Sequence, residues 1–169
     1  MKLTRHLAIG AAAVALVLAA AGVYIAVGSG TPAPDVAYTR LDGTTGRTGE
    51  LKGKVVLVNF WATSCVTCIK EMPDIVATHK KYAGPSFDTL AVAMSYDPPA
   101  YVANYAQSRQ LPFTVVIDNL GTMAREFGDV KLTPTTVLIN KRGEIVKRYL
   151  GEPDFVALHA LIDKLIAEG

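Results

Sequence analysis

The residues best suited to chemistry in this sequence are two cysteines separated by two residues. Cys65 and Cys68 are the only cysteines in the chain. The apolar segment at 55–60 is rich in β-branched residues and predicts a buried strand before them. After them, the apolar residues of 69–82 recur at helical spacing. The residues that share one predicted helix face are Ile69, Met72, Val76 and His79.

This position, where a strand leads into a helix, favours one chemistry. The first turn of a helix presents backbone N–H groups without helical partners and the positive end of the helix dipole. Both stabilise a thiolate, which is the reactive form of cysteine. Cys65 is therefore the predicted nucleophile, and Cys68, one turn further on, is close enough to form a disulfide with it.

Three other interpretations of the cysteine pair compete with a redox dithiol. Two buried thiols can pack as small apolar residues without reacting. A structural disulfide is a second alternative, although so short a loop constrains the unfolded chain very little. A zinc site needs four ligands, and the chain has no second Cys-x-x-Cys motif. The strand and helix around the motif favour the redox dithiol, and we predict no metal site and no cofactor.

Length and charge limit the classes of protein to which the chain can belong. Its 169 residues, half of them apolar, are enough for one domain with a sizeable core. The formal net charge is +2, and Lys2 and Arg5 account for it, because the charges after residue 30 balance. The sequence therefore predicts no basic face and no nucleic-acid partner.

The first 27 residues predict a membrane anchor. Lys2 and Arg5 precede 21 uncharged residues at 7–27, which as a helix would span about 30 Å, the thickness of a bilayer core. A cleaved signal peptide with its site near 19–21 is the alternative. The positive charges of Lys2 and Arg5 predict a cytoplasmic N-terminus. Both interpretations therefore place the cysteines outside the cytoplasm.

The remaining chain alternates between predicted strands and helices. A linker rich in Gly, Pro and Ser is expected at 28–34, and one folded domain at 35–169. A short strand at 37–41 precedes the order β-α-β-α-β-α-β-β-α. This order predicts an α/β fold with a mostly parallel central sheet, helices on both faces and an antiparallel hairpin at one edge.

Residues 59–73 carry a resemblance to a known family. Their sequence, Asn-Phe-Trp-Ala-Thr-Ser-Cys-Val-Thr-Cys-Ile-Lys-Glu-Met-Pro, resembles the active-site segment of the thioredoxin superfamily, in particular of the membrane-anchored TlpA/ResA-like thiol:disulfide oxidoreductases of bacteria. The resemblance extends over roughly residues 35–169 and implies a thioredoxin-like fold. The strand and helix at 87–109 resemble an insertion that marks this branch.

The resemblance also implies roles for residues outside the cysteine pair. Trp61 is expected to cover the active site and shield the thiols. Pro134 is expected to follow a cis peptide bond beside the cysteines, although a trans proline opening the next strand is the alternative. The backbone of Thr133 would then pair with an extended segment of the substrate.

The resemblance implies that the proton acceptor for Cys68 differs from that of thioredoxin. Thioredoxin has a buried aspartate at the position of Asn59, and an amide cannot accept that proton. The TlpA/ResA-like branch uses an acidic residue after its inserted strand, which implies Asp97. Asp97 could equally cap the helix that begins near Pro99. The residues between the cysteines differ from the usual pair, which leaves the redox potential and the direction of exchange open.

The function implied by the resemblance is reduction of disulfides in extracytoplasmic partner proteins. Apocytochrome c and copper-site proteins are the implied partners, with a membrane electron donor that restores the dithiol. The implied location is the bacterial inner membrane, crossed once, with the catalytic domain in the periplasm. A thiol peroxidase on the same fold is one alternative. A non-catalytic binding module or metal chaperone is the other.

Overall fold

The computed structural model describes residues 30–168. The predicted membrane segment at 7–27 and the first residues of the predicted linker lie outside these residues. Between residues 30 and 168, no helix is both long and apolar enough to cross a membrane.

The described part of the chain contains eight strands, four α-helices and one short 3₁₀ helix at Thr48–Leu51. The strands are β1 (Thr31–Pro32), β2 (Ala37–Thr39), β3 (Thr45–Arg47), β4 (Val55–Trp61), β5 (Phe87–Ala93), β6 (Thr114–Ile117), β7 (Thr135–Ile139) and β8 (Glu144–Leu150). The helices are α1 (Val66–Tyr82), α2 (Pro99–Ser108), α3 (Thr122–Glu126) and α4 (Phe155–Ala167). From β4 onward, this order confirms the predicted alternation.

The central strand β4 is enclosed on every side. All seven of its residues are buried, which agrees with the continuous apolar run that predicted it. β4 lies within a six-stranded sheet of order β1-β8-β7-β4-β5-β6, between parallel β5 and antiparallel β7. Its C-terminal end, at Trp61, leads directly to the cysteines.

The sheet is mixed, so the prediction of a mostly parallel sheet is wrong. Only β4–β5 and β5–β6 pair in parallel, whereas β4–β7, β7–β8 and β1–β8 pair antiparallel. The reason lies in the connection after β6. This connection begins and ends at the edge where the parallel strands finish, because Thr135 of β7 pairs with Phe60 near the end of β4. A connection that stays at one edge delivers an antiparallel strand.

The three long helices all pack on one face of the sheet. The strands advance in one direction from β4 to β5 to β6, and right-handed crossovers then place α1 and α2 on the same side. Met72 of α1, Val102 of α2 and Leu158 of α4 share one apolar cluster there. On the opposite face, Met123 of α3 and Tyr38 of β2 belong to a second cluster. Helices therefore lie on both faces of the sheet, and the α-helix on the face opposite α1 is the short α3.

The N-terminal part of the described chain wraps around the sheet. β2 and β3 form a hairpin around a turn at Asp42 and Gly43. Gly43 has φ of +84°, a conformation that favours glycine. β1 lies inside the segment expected to be a linker and pairs with β8 at the sheet edge. The sheet therefore begins at Thr31.

The buried face of α1 differs from the predicted one. Its buried residues are Cys68, Glu71, Met72, Ile75 and Thr78. Of the predicted stripe, only Met72 is fully enclosed, while Ile69, Val76 and His79 are partly exposed. The helix is therefore rotated by about one residue from the predicted orientation, because Cys68 faces the sheet. This rotation places the carboxyl group of Glu71 in the core.

Candidate active site

The two cysteines form a disulfide at the junction of β4 and α1, where the sequence predicts them. Cys65 is the residue that caps the N-terminus of α1, and its Sγ accepts a hydrogen bond of 3.1 Å from the backbone N–H of Cys68. The Cα atoms are 5.2 Å apart. Cys65 is partly exposed, whereas Cys68 is fully buried among the apolar residues between α1 and the sheet. The two sulfurs therefore differ in their access to a partner.

Trp61 lies in the core and not at the substrate face. Its side chain is fully buried and packs against Tyr105 of α2, with the ring centroids 5.3 Å apart. The ring is therefore enclosed in the oxidised protein, and the role of Trp61 in covering the active site and binding the substrate stays a prediction. Its position on β4 and the packing of α2 over that strand account for the burial.

The Thr133–Pro134 peptide bond is cis, as the family resemblance implied. Phe60 pairs with Thr135, so Pro134 lies beside the end of β4 and the start of the cysteine loop. Among the described residues, the backbone N–H and C=O of Thr133 have no hydrogen-bond partner. The Thr133 hydroxyl lies 3.2 Å from the Tyr96 hydroxyl.

Asp97 is buried but does not cap α2. The residue at the N-cap of α2 is Pro98, without a side-chain bond. The Asp97 carboxylate instead accepts hydrogen bonds from the backbone N–H of Thr63, at 2.6 Å, and from its hydroxyl, at 2.5 Å. Both carboxylate oxygens are thus used to hold the loop that leads to Cys65.

Glu71 is the residue near the cysteines that the sequence analysis missed. It is fully buried on α1, one turn beyond Cys68. Its Oε1 accepts a hydrogen bond of 2.9 Å from Asn59 Nδ2, which also donates to Thr136 Oγ1 at 3.0 Å. Burial raises the pKa of Glu71 from 4.5 to about 7, although the Asn59 hydrogen bond opposes the rise.

A signal for Glu71 is present in the sequence. Residues three and four positions apart lie on the same face of a helix. Counting from Cys68, these positions are Glu71 and Met72. The predicted stripe started at Ile69 instead, and so placed Glu71 on the exposed side.

Three exposed apolar side chains lie at the same edge of the sheet as the disulfide. Val66, Tyr96 and Leu132 are 84%, 56% and 62% exposed. Val66 lies between the cysteines, Tyr96 follows β5 and Leu132 precedes Thr133, so all three lie at the edge of the sheet that carries the disulfide. Exposed apolar residues grouped in this way are typical of a surface that binds another protein.

The raised pKa of Glu71 predicts how stability depends on pH. Between about pH 4.5 and about pH 7, the folded protein keeps the Glu71 proton and the unfolded chain has lost it, so the free energy of unfolding falls as pH rises through this range. We expect Glu71→Gln to remove the contribution of Glu71 to this decrease in the free energy of unfolding. Denaturant unfolding of the oxidised protein across this range measures it.

The matched control for this prediction is Glu126→Gln, the same substitution at an exposed position on α3. We expect Glu126→Gln to retain the pH dependence of the wild type. An equal pH dependence in Glu71→Gln and wild type would show that Glu71 is not the titrating group.

Comparison with known proteins agrees with this geometry. The model of the Redoxin family matches residues 28–160. Thiol-disulfide oxidoreductase ResA of Geobacillus thermodenitrificans is 33% identical over 160 residues, which cover 89% of this chain and 91% of that protein. ResA of Bacillus anthracis is 33% identical over 136 residues, 80% of this chain and 78% of that protein.

Solved structures show the same fold. A protein from Neisseria meningitidis described as a thioredoxin is 41% identical, with a TM-score of 0.76, over 83% of this chain and 93% of that chain. A thiol:disulfide interchange protein from Chlorobium tepidum is 26% identical, with a TM-score of 0.74, over 82% of this chain and 97% of that chain.

The fold is therefore thioredoxin-like, as the motif at 59–73 implied. The disulfide occupies the position at which a strand leads into a helix, and the chain matches relatives that exchange thiols and disulfides over most of its length. The chain belongs to the Redoxin family and is a thiol-disulfide oxidoreductase of ResA-like type, with Cys65 and Cys68 as its redox-active pair.

Proposed function

We propose that this oxidoreductase reduces disulfides in partner proteins on the outer side of the bacterial inner membrane. The observation that carries the proposal is the asymmetry of the cysteine pair. Cys65 is partly exposed at the start of α1, and Cys68 is enclosed beneath it. This arrangement supports attack by one cysteine and resolution by the other.

Cys65 is the nucleophile in this mechanism. In the reduced enzyme, the Cys68 N–H that now donates to Cys65 Sγ would donate to a thiolate, and a hydrogen bond to a charged acceptor is stronger than one to a neutral acceptor. The helix dipole acts in the same direction. The Cys65 thiolate attacks a partner disulfide, one partner sulfur leaves as a thiolate, and a mixed disulfide forms.

Cys68 resolves the mixed disulfide, and Glu71 accepts its proton. The Cys68 S–H bond breaks, the proton passes to the Glu71 carboxylate, and the sulfur bonds to Cys65 while the second partner thiolate leaves. Burial of Cys68 disfavours its thiolate form, so the reaction needs a proton acceptor nearby. A carboxyl group with a pKa of about 7 on the same helix face meets this need.

We assign Asp97 a different role from the one that the sequence predicts. Its two oxygens bind Thr63, two residues before Cys65. Asp97 is therefore proposed as a positioning residue for the cysteine loop. Its effect on resolution is expected to be smaller than that of Glu71.

The partner is proposed to bind as an extended segment at the edge that carries the disulfide. The N–H and C=O of Thr133 offer it strand-like hydrogen bonds, and Pro134, which has no N–H, leaves that edge open. Val66, Tyr96 and Leu132 offer apolar contacts around it. Apocytochrome c and copper-site proteins, which the family resemblance implies, are the proposed partners. A membrane protein is the proposed electron donor.

The division of roles between the cysteines predicts the outcome of trapping. We expect Cys68→Ala to attack a partner disulfide and then remain joined to it, because no second thiol resolves the complex. Cys65→Ser, the control, is expected to form no mixed disulfide. Non-reducing electrophoresis and mass spectrometry detect the complex. Repeated turnover by Cys68→Ala without added thiol would contradict the assignment.

The proton acceptor is tested by comparing Glu71→Gln with Asp97→Asn. Removing a general base slows proton transfer by at least about 10²-fold. We expect Glu71→Gln to slow release of the partner from the mixed disulfide by about this factor, with little change in the rate of first attack. Asp97→Asn is expected to affect both steps, because it loosens the loop before Cys65.

Rapid-mixing measurements of the two steps distinguish these outcomes. Slower resolution in Asp97→Asn alone, with Glu71→Gln unchanged, would return the acceptor role to Asp97.

The proposed location depends on the uncharged segment at 7–27. We expect the full-length protein to stay in the membrane fraction after a carbonate wash, because a segment of this length spans a bilayer. Membrane fractionation followed by N-terminal sequencing tests this. A soluble product that begins near Gly22 would show that the segment is a cleaved signal peptide.

A further inference from the structure

Two buried oxygen atoms near the cysteines have no hydrogen-bond partner among residues 30–168. They are Asn59 Oδ1 and Glu71 Oε2. Both side chains are fully enclosed, so water at the surface does not reach them. An unsatisfied buried polar atom costs about 1–3 kcal/mol. Native proteins rarely leave two such atoms in one contact.

The other atoms of the same two side chains are already bonded to each other. Asn59 Nδ2 donates to Glu71 Oε1 at 2.9 Å. The unsatisfied atoms are therefore the second oxygen of the same carboxyl group and the oxygen of the same amide. A carboxylate has no hydrogen to donate, whereas a protonated carboxyl group has one. One proton on Glu71 Oε2 can satisfy both atoms.

We propose that Glu71 is protonated in the oxidised enzyme and forms a reciprocal acid–amide pair with Asn59. In this pair, Asn59 Nδ2 donates to Glu71 Oε1, and Glu71 Oε2–H donates to Asn59 Oδ1. Asn59 is then a positioning residue that holds the proton Glu71 has accepted. The inference rests on the proposed role of Glu71 as the acceptor for Cys68, and it identifies what stabilises the product of that step.

Thr136 determines how the amide is held. The Asn59 amide nitrogen has two hydrogens, and its second bond, of 3.0 Å, goes to Thr136 Oγ1. Thr136 lies on β7 opposite Asn59 on β4, so the sheet register sets this contact. Asn59 Nδ2 already donates to both Thr136 Oγ1 and Glu71 Oε1. The amide oxygen, Oδ1, is therefore the atom of Asn59 that can accept a hydrogen bond from Glu71 Oε2–H.

The charges around Glu71 favour its neutral form. Asp74 on its own helix and Glu152 after β8 are the charged groups that act on it, and both raise its pKa in addition to burial. Glu152 is itself paired with Lys70 at 2.8 Å. The groups that face Glu71 from β4 and β7, Asn59 and Thr136, are neutral, and Cys68 carries no charge in the disulfide.

The pair gives the resolution step a stable end state. Before resolution, the enzyme holds a Cys65–partner disulfide, a Cys68 thiol and a Glu71 carboxylate. Afterwards it holds the Cys65–Cys68 disulfide and a Glu71 carboxylic acid, and the partner leaves as a thiolate, so the charge is unchanged. In the reverse direction, attack on the enzyme disulfide returns the proton from Glu71 to the Cys68 sulfur.

Infrared spectroscopy of the full-length oxidised protein tests the pair. At about pH 6, below the pKa of about 7, we expect a carboxylic-acid C=O band that is absent from Glu71→Gln. We expect Asn59→Leu to move this band to higher frequency, because the acid loses both hydrogen bonds to the amide. Glu126→Gln, the control, removes an exposed carboxyl group on α3 and keeps the pair, so its band is expected to stay close to the wild-type position.

The absence of a band that depends on Glu71 would overturn the proposal, and so would a band unchanged in Asn59→Leu. If Asn59→Leu does not fold, the Asn59 side-chain amide hydrogens of the wild type give the second measurement by NMR. Their resonances are expected to shift with pH at the Glu71 midpoint, and resonances that do not shift would overturn the pair. The acceptor role is tested separately, by the rate of resolution in Glu71→Gln.

Discussion

Complete burial of β4 is the constraint on which the rest of the structure depends. This strand is enclosed by a neighbour at each edge and by an apolar cluster on each face. A slip of one residue would move every side chain to the opposite face, so the register is strongly specified. The chain that leaves Trp61 is therefore held in place, and Cys65 caps α1 only four residues later.

The chemical asymmetry of the cysteines follows from this rigid junction. A residue at a helix N-cap faces both solvent and the free N–H groups, whereas a residue one turn further on faces whatever the helix packs against. Here that is the sheet, so Cys68 is enclosed and Cys65 is not. The two cysteine side chains on one helical turn therefore differ in how accessible they are to a partner protein. They also differ in how strongly a negative charge on the sulfur is stabilised.

The same packing brings polar groups into an otherwise apolar layer. Asn59 and Glu71 face each other between β4 and α1, where purely apolar residues would stabilise the fold more simply. Polar groups that break the local pattern of a core are common at functional sites. A neutral amide beside the acid also allows it to gain and lose a proton without a second buried charge. In the proposed mechanism, the acid that accepts the proton therefore lies on the helix α1 instead of on the strand β4.

The sequence by itself determined the strand–cysteine–helix junction and the order of the elements from β4 onward, because both depend on short-range periodicity. The family resemblance added the cis bond before Pro134. Only the tertiary structure decided that Glu71 is buried and that Asp97 holds the cysteine loop. Asn59 and its partner Thr136 are 77 residues apart, and strand register alone brings them together. Local patterns cannot specify such contacts, because burial depends on which distant segments pack against a face.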